Sequence, residues 1–373
     1  MQDVVTDVTI IGGGIAGLTT AYFLAQKGLS ITVIEKDSIG SHASGFAYGG
    51  LSPLGEAGDA ESILPLFEVA KLGMTLHTQL SSELYDATGI DTHHRFRPAL
   101  DISFTEDESS ELKNQIIWRN IDGYSVEWLD KKSALEIVPN LSEEVIGGLY
   151  TQGVADLEPY RFMLSLTQAC ENIGVNIKHG EITNLKFQNS KIEAVITKDA
   201  IIPCQNVVLA MGPWMQHVSQ WINRRIPITP LKGQILKLDS KEVELRCSVG
   251  WNGNYACTKP DGLIWAGTTE EKSGFDDSTN IEGRNTIISS LTKMVSGLEN
   301  ATLIQHTACL RPLPEDGKII IGPIPEKEGL FIATGAGRKG ILLGPAMGKL
   351  TADLILGTTS DVDISPFSLN RFN

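Results

Sequence analysis

Val8-Thr9-Ile10-Ile11-Gly12-Gly13-Gly14-Ile15-Ala16-Gly17 decides the fold of this chain. Strand-forming residues run straight into three consecutive glycines, and a helical pattern follows at once. Gly12, Gly14 and Gly17 make the spacing G-x-G-x-x-G. Gly12 allows a tight turn, Gly14 leaves room for a pyrophosphate, and Gly17 lets the helix pack close to the strand. A helix opening at Ile15 and Ala16 turns free N–H groups and a partial positive charge toward that phosphate. A second strand, Ile31-Thr32-Val33-Ile34, ends at Glu35, 21 positions after Gly14. An acid at that place accepts the ribose hydroxyls of a dinucleotide. Strand, glycines, helix and acid together predict a dinucleotide-binding βαβ unit.

Composition sets the outer limits. At 373 residues the chain is long enough for two intertwined domains with a large core. Its hydrophobic fraction of 42% and charged fraction of 20% are those of a globular protein. A net charge of −14 argues against a nucleic-acid partner, because phosphate contacts need clustered Lys and Arg. It also argues against electrostatic docking on an anionic membrane. Asp3 and Asp7 stand where a basic leader region would lie, and no run approaches a transmembrane length, so a cytoplasmic location is expected. Cys170, Cys204, Cys247, Cys257 and Cys309 are scattered without a C-x-x-C pair, which reads as reduced thiols and no zinc site. The seven histidines offer no H-E-x-x-H pair, and no metal is expected.

Further along, residues 15–26 read as a helix stopped at Gly28, and Ser38 to Gly55 as a functional loop of small residues without a clear period. A long helix is predicted over 59–88, a strand over 95–104, a charged helix over 106–120 and a short helix within 128–138. The nucleotide-domain pattern is expected to return at Gly147–Tyr150, with a helix over 160–172 and a strand over 175–179. A meander over 182–203 leads to the buried strand Val207–Ala210 and a second small-residue turn, Met211-Gly212-Pro213-Trp214. A region of strands begins at 227–237 and includes 255–258 and 263–268, with the turn Pro260-Asp261-Gly262 between the last two and a helix over 283–295. The strand 330–333, the turn Thr334–Gly337 and the apolar helix 341–356 close the first domain.

Taken whole, the chain resembles the FAD-dependent D-amino-acid oxidase superfamily, in particular its glycine-oxidase branch associated with thiamine biosynthesis. The resemblance runs from end to end. It is carried by the N-terminal fingerprint with Glu35-Lys36, Ala43-Ser44-Gly45, Val208–Trp214 and Pro230-Leu231-Lys232-Gly233-Gln234. Ala266–Glu271 with Gly274-Phe275-Asp276, Leu310–Gly317 and Gly335–Leu343 complete it. The fold it implies is α/β, with a discontinuous Rossmann-type, glutathione-reductase-like FAD-binding domain and an antiparallel-sheet substrate domain. The segments expected are 1–90, 148–217 and 306–373 for FAD, and 91–147 with 218–305 for substrate. The implied cofactor shell is Gly12, Gly14, Ile15, Ala16, Gly17, Glu35, Lys36, Ser44, Ala47, Gly49, Gly50, Leu51, Ile182, Ala210, Gly212, Trp214, Arg311, Gly337, Arg338, Lys339, Gly340 and Ile341.

By the same resemblance, Arg311 falls on the arginine that pairs with a substrate carboxylate. Tyr255 falls on the tyrosine that also reaches it, and Arg338 on a second arginine close by. A planar guanidinium holds a carboxylate through two parallel bonds and so fixes orientation. Cys309 matches the position at which related monomeric sarcosine oxidases bind flavin covalently, where glycine oxidases usually have glycine. The favoured reading here is a small buried thiol and non-covalent FAD. The implied activity is oxidation of glycine, sarcosine or a small D-amino acid by hydride transfer from Cα. The imino acid is then hydrolysed to the oxo acid, and O2 or another acceptor reoxidises the flavin. Glu270 is placed near the amine. A quinone-linked dehydrogenase and an inactive flavin-binding protein are the alternatives, and a homo-oligomer is left open.

Overall fold

The structure, a computed structural model, describes residues 5–54, 60–120 and 123–372. The expected loop end at Gly55, the helix start at Asp59 and the leader position Asp3 lie outside the described residues. Two sheets of eight strands organise the chain, joined by a small three-stranded sheet.

The first sheet is built on the glycine turn. Thr6–Ile11 lies parallel to Ile31–Glu35 on one side and to Ile201–Leu209 on the other. Asn176–His179 extends it beyond Ile31–Glu35, and Leu330–Thr334 beyond Ile201–Leu209, both parallel. The central strands of this sheet are rich in Val, Ile and Leu because helices cover it, whereas the edge strand Asn176–His179 is polar and largely exposed. Ile15–Ala25, the long helix Ala60–Thr88, Pro159–Asn172 and Gly340–Leu356 enclose one core with Val8, Ile10, Val33 and Val208. Ile201–Leu209 is a single strand with two roles. Its first residues pair antiparallel with Lys191–Thr197 and its last residues pair parallel with Thr6–Ile11. Meander and buried strand, expected as separate pieces, are therefore continuous.

The second sheet runs in the order Thr302–Pro314, Ile228–Asp239, Ile264–Gly267, Asn254–Thr258, Ser248–Trp251, Ala99–Ser103, Gly147–Gln152, Ser125–Asp130. All neighbours are antiparallel except Ser248–Trp251 with Ala99–Ser103. One face packs Leu100, Leu236, Ala256 and Ala266 against the helix Ile281–Met294. The other face carries Arg311, Gly233, Gly267 and Tyr255.

Several elements differ from the sequence expectation. Gly147–Gln152 pairs in this second sheet, so the nucleotide-domain pattern does not return there. The expected segment bounds at 148 and 306 fall inside strands of the second sheet. Residues 95–104 break at Arg97-Pro98 into Arg95–Phe96 and Ala99–Ser103, since proline cannot donate to a ladder. The charged helix breaks at Gln115 into Glu106–Asn114 and Ile116–Arg119. Ser125–Asp130 and Ser248–Trp251 are strands that short, mixed patterns conceal. The 38–55 loop holds a turn of helix, Ala43–Phe46, and the strand Gly50–Leu51.

Candidate active site

The glycine turn divides its labour. At Gly12, φ is +108° and an added Cβ would lie 2.4 Å from the Ala210 carbonyl oxygen. At Gly17 it would lie 2.0 Å from the Gly12 carbonyl oxygen. Both residues serve backbone-to-backbone approach. A Cβ on Gly14 meets only Ser44 Oγ, at 3.3 Å, so the space above Gly14 is held open for something other than protein. The Ser44 hydroxyl accepts the Ile15 N–H at 3.0 Å. Glu35 accepts the Gly13 N–H at 2.7 Å and the Asp37 N–H at 2.9 Å, one on each oxygen. Each oxygen keeps a further lone pair for a hydroxyl donor.

That open space belongs to a cavity of about 450 Å³ running from the glycine turn to the second sheet. Of the expected cofactor shell, it is lined by Gly12, Gly14, Ile15, Ala16, Glu35, Lys36, Ser44, Ala47, Gly49, Gly50, Ile182, Ala210, Gly212, Trp214, Arg311, Gly337, Arg338, Gly340 and Ile341. Gly17, Leu51 and Lys339 are outside the lining. Gly17 packs helix on strand, and Leu51 is fully buried in the core of the first sheet. At the Glu35 end, Lys36 Nζ lies 4.0 Å from the Trp214 ring centroid, and His42 packs 4.7 Å from the same ring. At the other end, the helix Gly340–Leu356 presents its first turn to the cavity. Its Ile341 carbonyl accepts from the buried His77 Nε2 at 2.6 Å. Burial pulls the His77 pKa down to about 4, so the ring is the neutral form that donates here.

The second sheet supplies the opposite wall. Arg311 is 9% exposed, and its Nη2 donates to Thr268 Oγ1 at 2.6 Å. Its guanidinium leans over the neighbouring strand at Gly233, where an added Cβ would stand 1.8 Å from Nη2. From the other direction, the Tyr255 hydroxyl leans over Gly267, where a Cβ would stand 2.7 Å away. Glycines on the two intervening strands let the two side chains approach across the sheet. Tyr48 packs on Tyr255 with centroids 3.9 Å apart and shares a 2.7 Å hydrogen bond with Ser248. Glu270 Oε1 lies 3.2 Å from Arg338 Nη1 and 3.9 Å from Arg311 Nη1, so it stands between the guanidiniums. Arg338 also donates to the Gly253 carbonyl at 3.2 Å.

Beneath Arg311 a half-buried polar network fixes the segment Thr268–Glu271. Glu271 accepts from Gln234 and from Thr269 at 2.6 Å, and its other oxygen meets Asn280 Nδ2 at 2.9 Å and Lys232 Nζ at 3.1 Å. Burial acts to raise the Glu271 pKa, but the hydrogen bonds from Thr269, Gln234, Asn280 and Lys232 outweigh it and bring it down to about 2. The sequence singles out Lys232, Gly233, Gln234 and Glu271 as a pattern without giving them roles. Tyr48, Thr268 and His77 were not expected at the site. Glycine in a strand interior was the available signal for Gly233 and Gly267. Among the described residues no cluster of His, Cys, Asp and Glu is arranged to hold a metal.

Comparison with known proteins completes the picture. The family model described as FAD dependent oxidoreductase, DAO, matches residues 7–354. The chain belongs to the FAD-dependent oxidoreductase family. Its cofactor is FAD, and the open cradle over Gly14, the acid at Glu35 and the long cavity are features that fit it. Glycine oxidase of Geobacillus kaustophilus is 30% identical over 98% of this chain and 97% of its own length. Glycine oxidase of Pseudomonas putida is 29% identical, covering 97% of each chain. The crystal structure of the Geobacillus kaustophilus enzyme superposes with a TM-score of 0.93 at 30% identity, over 98% of both chains. That of glycine oxidase from Bacillus cereus gives 0.89 at 29% identity, over 95% of this chain and 98% of that one. No helix among the described residues of this flavoenzyme is long and apolar enough to cross a membrane.

Proposed function

We propose that this flavoenzyme oxidises the carbon–nitrogen bond of a small amino acid, glycine or sarcosine first and small D-amino acids next. The observation that carries this reading is the buried Arg311 leaning over Gly233 toward Tyr255, on the wall of the cavity that also holds the glycine cradle. The Arg311 fork receives the substrate carboxylate, and the Tyr255 hydroxyl adds a hydrogen bond to the same group. Thr268 locks the fork, so it is oriented before substrate arrives. Arg338 and Glu270 form the polar flank. Glu270 moves aside from the guanidiniums or turns toward the substrate amine.

Bound FAD supplies the two-electron acceptor that converts the amine to an imine, which water hydrolyses to the oxo acid, with O2 as the final acceptor and peroxide its product. The residues of the chain position and hold charge. None of the side chains placed here has to remove a proton from Cα if the amine enters neutral. We further propose that FAD is held without a covalent bond. Cys309 lines the cavity, but burial pushes its thiol up, with Arg311 only partly opposing, and a thiol kept protonated is a poor nucleophile.

A panel of amino acids and N-methyl amino acids, assayed for both peroxide formation and dye reduction, tests this reading. Glycine or sarcosine is expected to produce peroxide. Dye reduction without peroxide would shift the assignment to a dehydrogenase. Flavin that no amino acid bleaches without air would end it.

A further inference from the structure

Beyond the Tyr48–Tyr255 pair, the same face of the second sheet opens into a separate cavity of about 680 Å³. It is framed by the strands Ala99–Ser103 and Ser248–Trp251 and by the two short helices Glu106–Asn114 and Ile116–Arg119. Two arginines reach it from within the protein. Arg119 is 1% exposed, its Nη1 lies 3.4 Å from Asp101, and its Nε and Nη2 have no partner. Arg97 is 7% exposed, spends Nη2 on the Thr258 carbonyl, and leaves Nη1 without a partner. The buried Thr151 hydroxyl beside them is also without a partner. A buried donor left unmade costs more than an ordinary hydrogen bond yields, and charged donors cost most. Arg97, Arg119 and Thr151 thus offer the cavity unpaired donors, while the carbonyl oxygens of Gln115 and Asn254 on the same lining are unpaired acceptors, so the place is built for a polar ligand whose acceptor meets the two arginines.

Four carboxylates, Asp101, Glu108, Glu111 and Asp156, line the cavity beside the two arginines, so room for an anion depends on these acids being engaged elsewhere. Asp156 is the one carboxylate facing Arg95 at 2.9 Å, Lys259 at 2.9 Å and Arg97 at 3.6 Å. Glu108, also on the lining, is already committed: it caps its helix through the Phe104 and Thr105 N–H groups and accepts from the Trp251 indole. Asp101 faces Arg119, and Glu111 is exposed.

We propose that this cavity is a second carboxylate site, in which Arg97 and Arg119 receive a small organic-acid anion beside the substrate site. The ligand is a separate molecule. Asp101 lies on the sixth strand of the sheet and Gly233, under Arg311, on the second. Four strand spacings put them roughly 19 Å apart along the sheet. A glycine held by Arg311 does not span that distance.

Titration calorimetry of the FAD-loaded enzyme with succinate tests this. Arg311→Ala silences the substrate site and is expected to leave one saturable succinate site. Adding Arg119→Met is expected to weaken that site roughly 10- to 100-fold, the value of a charge-assisted hydrogen bond. Arg119→Lys should recover part of the loss, because an ammonium keeps the charge and loses the fork. Retained flavin and an unchanged melting temperature certify each variant. If Arg119→Met does not fold, Thr151→Val takes its place, with a loss of roughly several-fold expected for one neutral bond. The proposal falls if Arg311→Ala takes up no succinate or if the Arg119 and Thr151 variants bind it as before. It falls too if glycine displaces all bound succinate from the unmodified enzyme. Turnover of glycine is measured alongside, and its absence would count against the amino-acid reading while leaving the succinate result to stand by itself.

Discussion

Two walls of one cavity depend on glycine in opposite ways. On the nucleotide side, Gly12 and Gly17 exist so that backbone can meet backbone, and both lie within one short stretch with the open Gly14 between them. On the substrate side, Gly233 and Gly267 exist so that side chains can cross over backbone, and they are far apart in sequence on two different strands. In the first arrangement backbone meets backbone, Gly17 with Gly12 and Gly12 with Ala210, so a Cβ at Gly12 or Gly17 damages the fold. The second is tertiary, so a Cβ at Gly233 meets only the movable end of Arg311. The nucleotide wall therefore couples glycine to folding, and the substrate wall couples glycine to chemistry.

Gly14 is the exception that makes the nucleotide wall testable, and its replacement should have the largest effect. A Cβ there presses in the protein only on the Ser44 hydroxyl, and a valine side chain fills the cradle. Gly14→Val should purify folded and colourless, with flavin content and activity both lost. A yellow Gly14→Val protein would break the reading of the cradle. Arg311→Ala comes next. Loss of a charged, hydrogen-bonded partner in a buried site costs about 2–5 kcal/mol, so the Michaelis constant for an amino acid should rise by roughly one to three orders of magnitude. Flavin should stay bound. An amine without a carboxylate, a poor substrate for the unmodified enzyme, should lose little further. Equal damage to both substrates would make Arg311 a structural residue.

The same contrast explains what could be read from sequence. The glycine turn, Glu35, the strands beside it and the helix after Gly340 were legible because each is a contiguous pattern with a fixed period. Arg311, Tyr255 and Arg338 were named only through resemblance. Nothing local distinguishes Arg311 from an arginine on any apolar strand, and its meaning comes from Gly233 next door and Thr268 beyond. The strands Ser125–Asp130 and Ser248–Trp251 escaped because they are short and lack a clean alternation. Arg97 and Arg119 fall within the expected strand 95–104 and charged helix 106–120, where no local pattern marks them for burial. Their burial is a property of the fold.

Gly233→Ala sharpens the comparison from the glycine side. The new Cβ would displace the Arg311 fork and break its bond to Thr268. The Michaelis constant for glycine should rise roughly 10- to 100-fold, a fraction of the full truncation, with flavin content and melting temperature held. Gly267→Ala presses on the Tyr255 hydroxyl, a neutral partner also held by the Tyr48 ring. Its cost should be roughly 2- to 10-fold. If either alanine lowered flavin content before it touched the Michaelis constant, the two walls would not differ as argued.

The smallest effect concerns pH. The segment under Arg311 rests on Glu271, whose carboxyl titrates near 2 in the folded protein against an ordinary 4.5. A carboxyl with a lowered folded pKa contributes stability that is full above its unfolded value and is lost as pH falls toward the folded one. The window is therefore about 4.5 down to about 2. Glu271→Gln keeps the shape and removes the titration. Its melting temperature should be lower than that of the unmodified enzyme at pH 7, and the gap should hold down to about pH 4.5 and narrow progressively from there toward about 2. In the folded enzyme Glu271 stays ionised until pH approaches about 2, so any loss of glycine affinity through the network that supports Thr268 and Arg311 should come only near that pH. Parallel melting curves for the two proteins across that range would show that Glu271 does not carry its charge for the sake of the substrate wall.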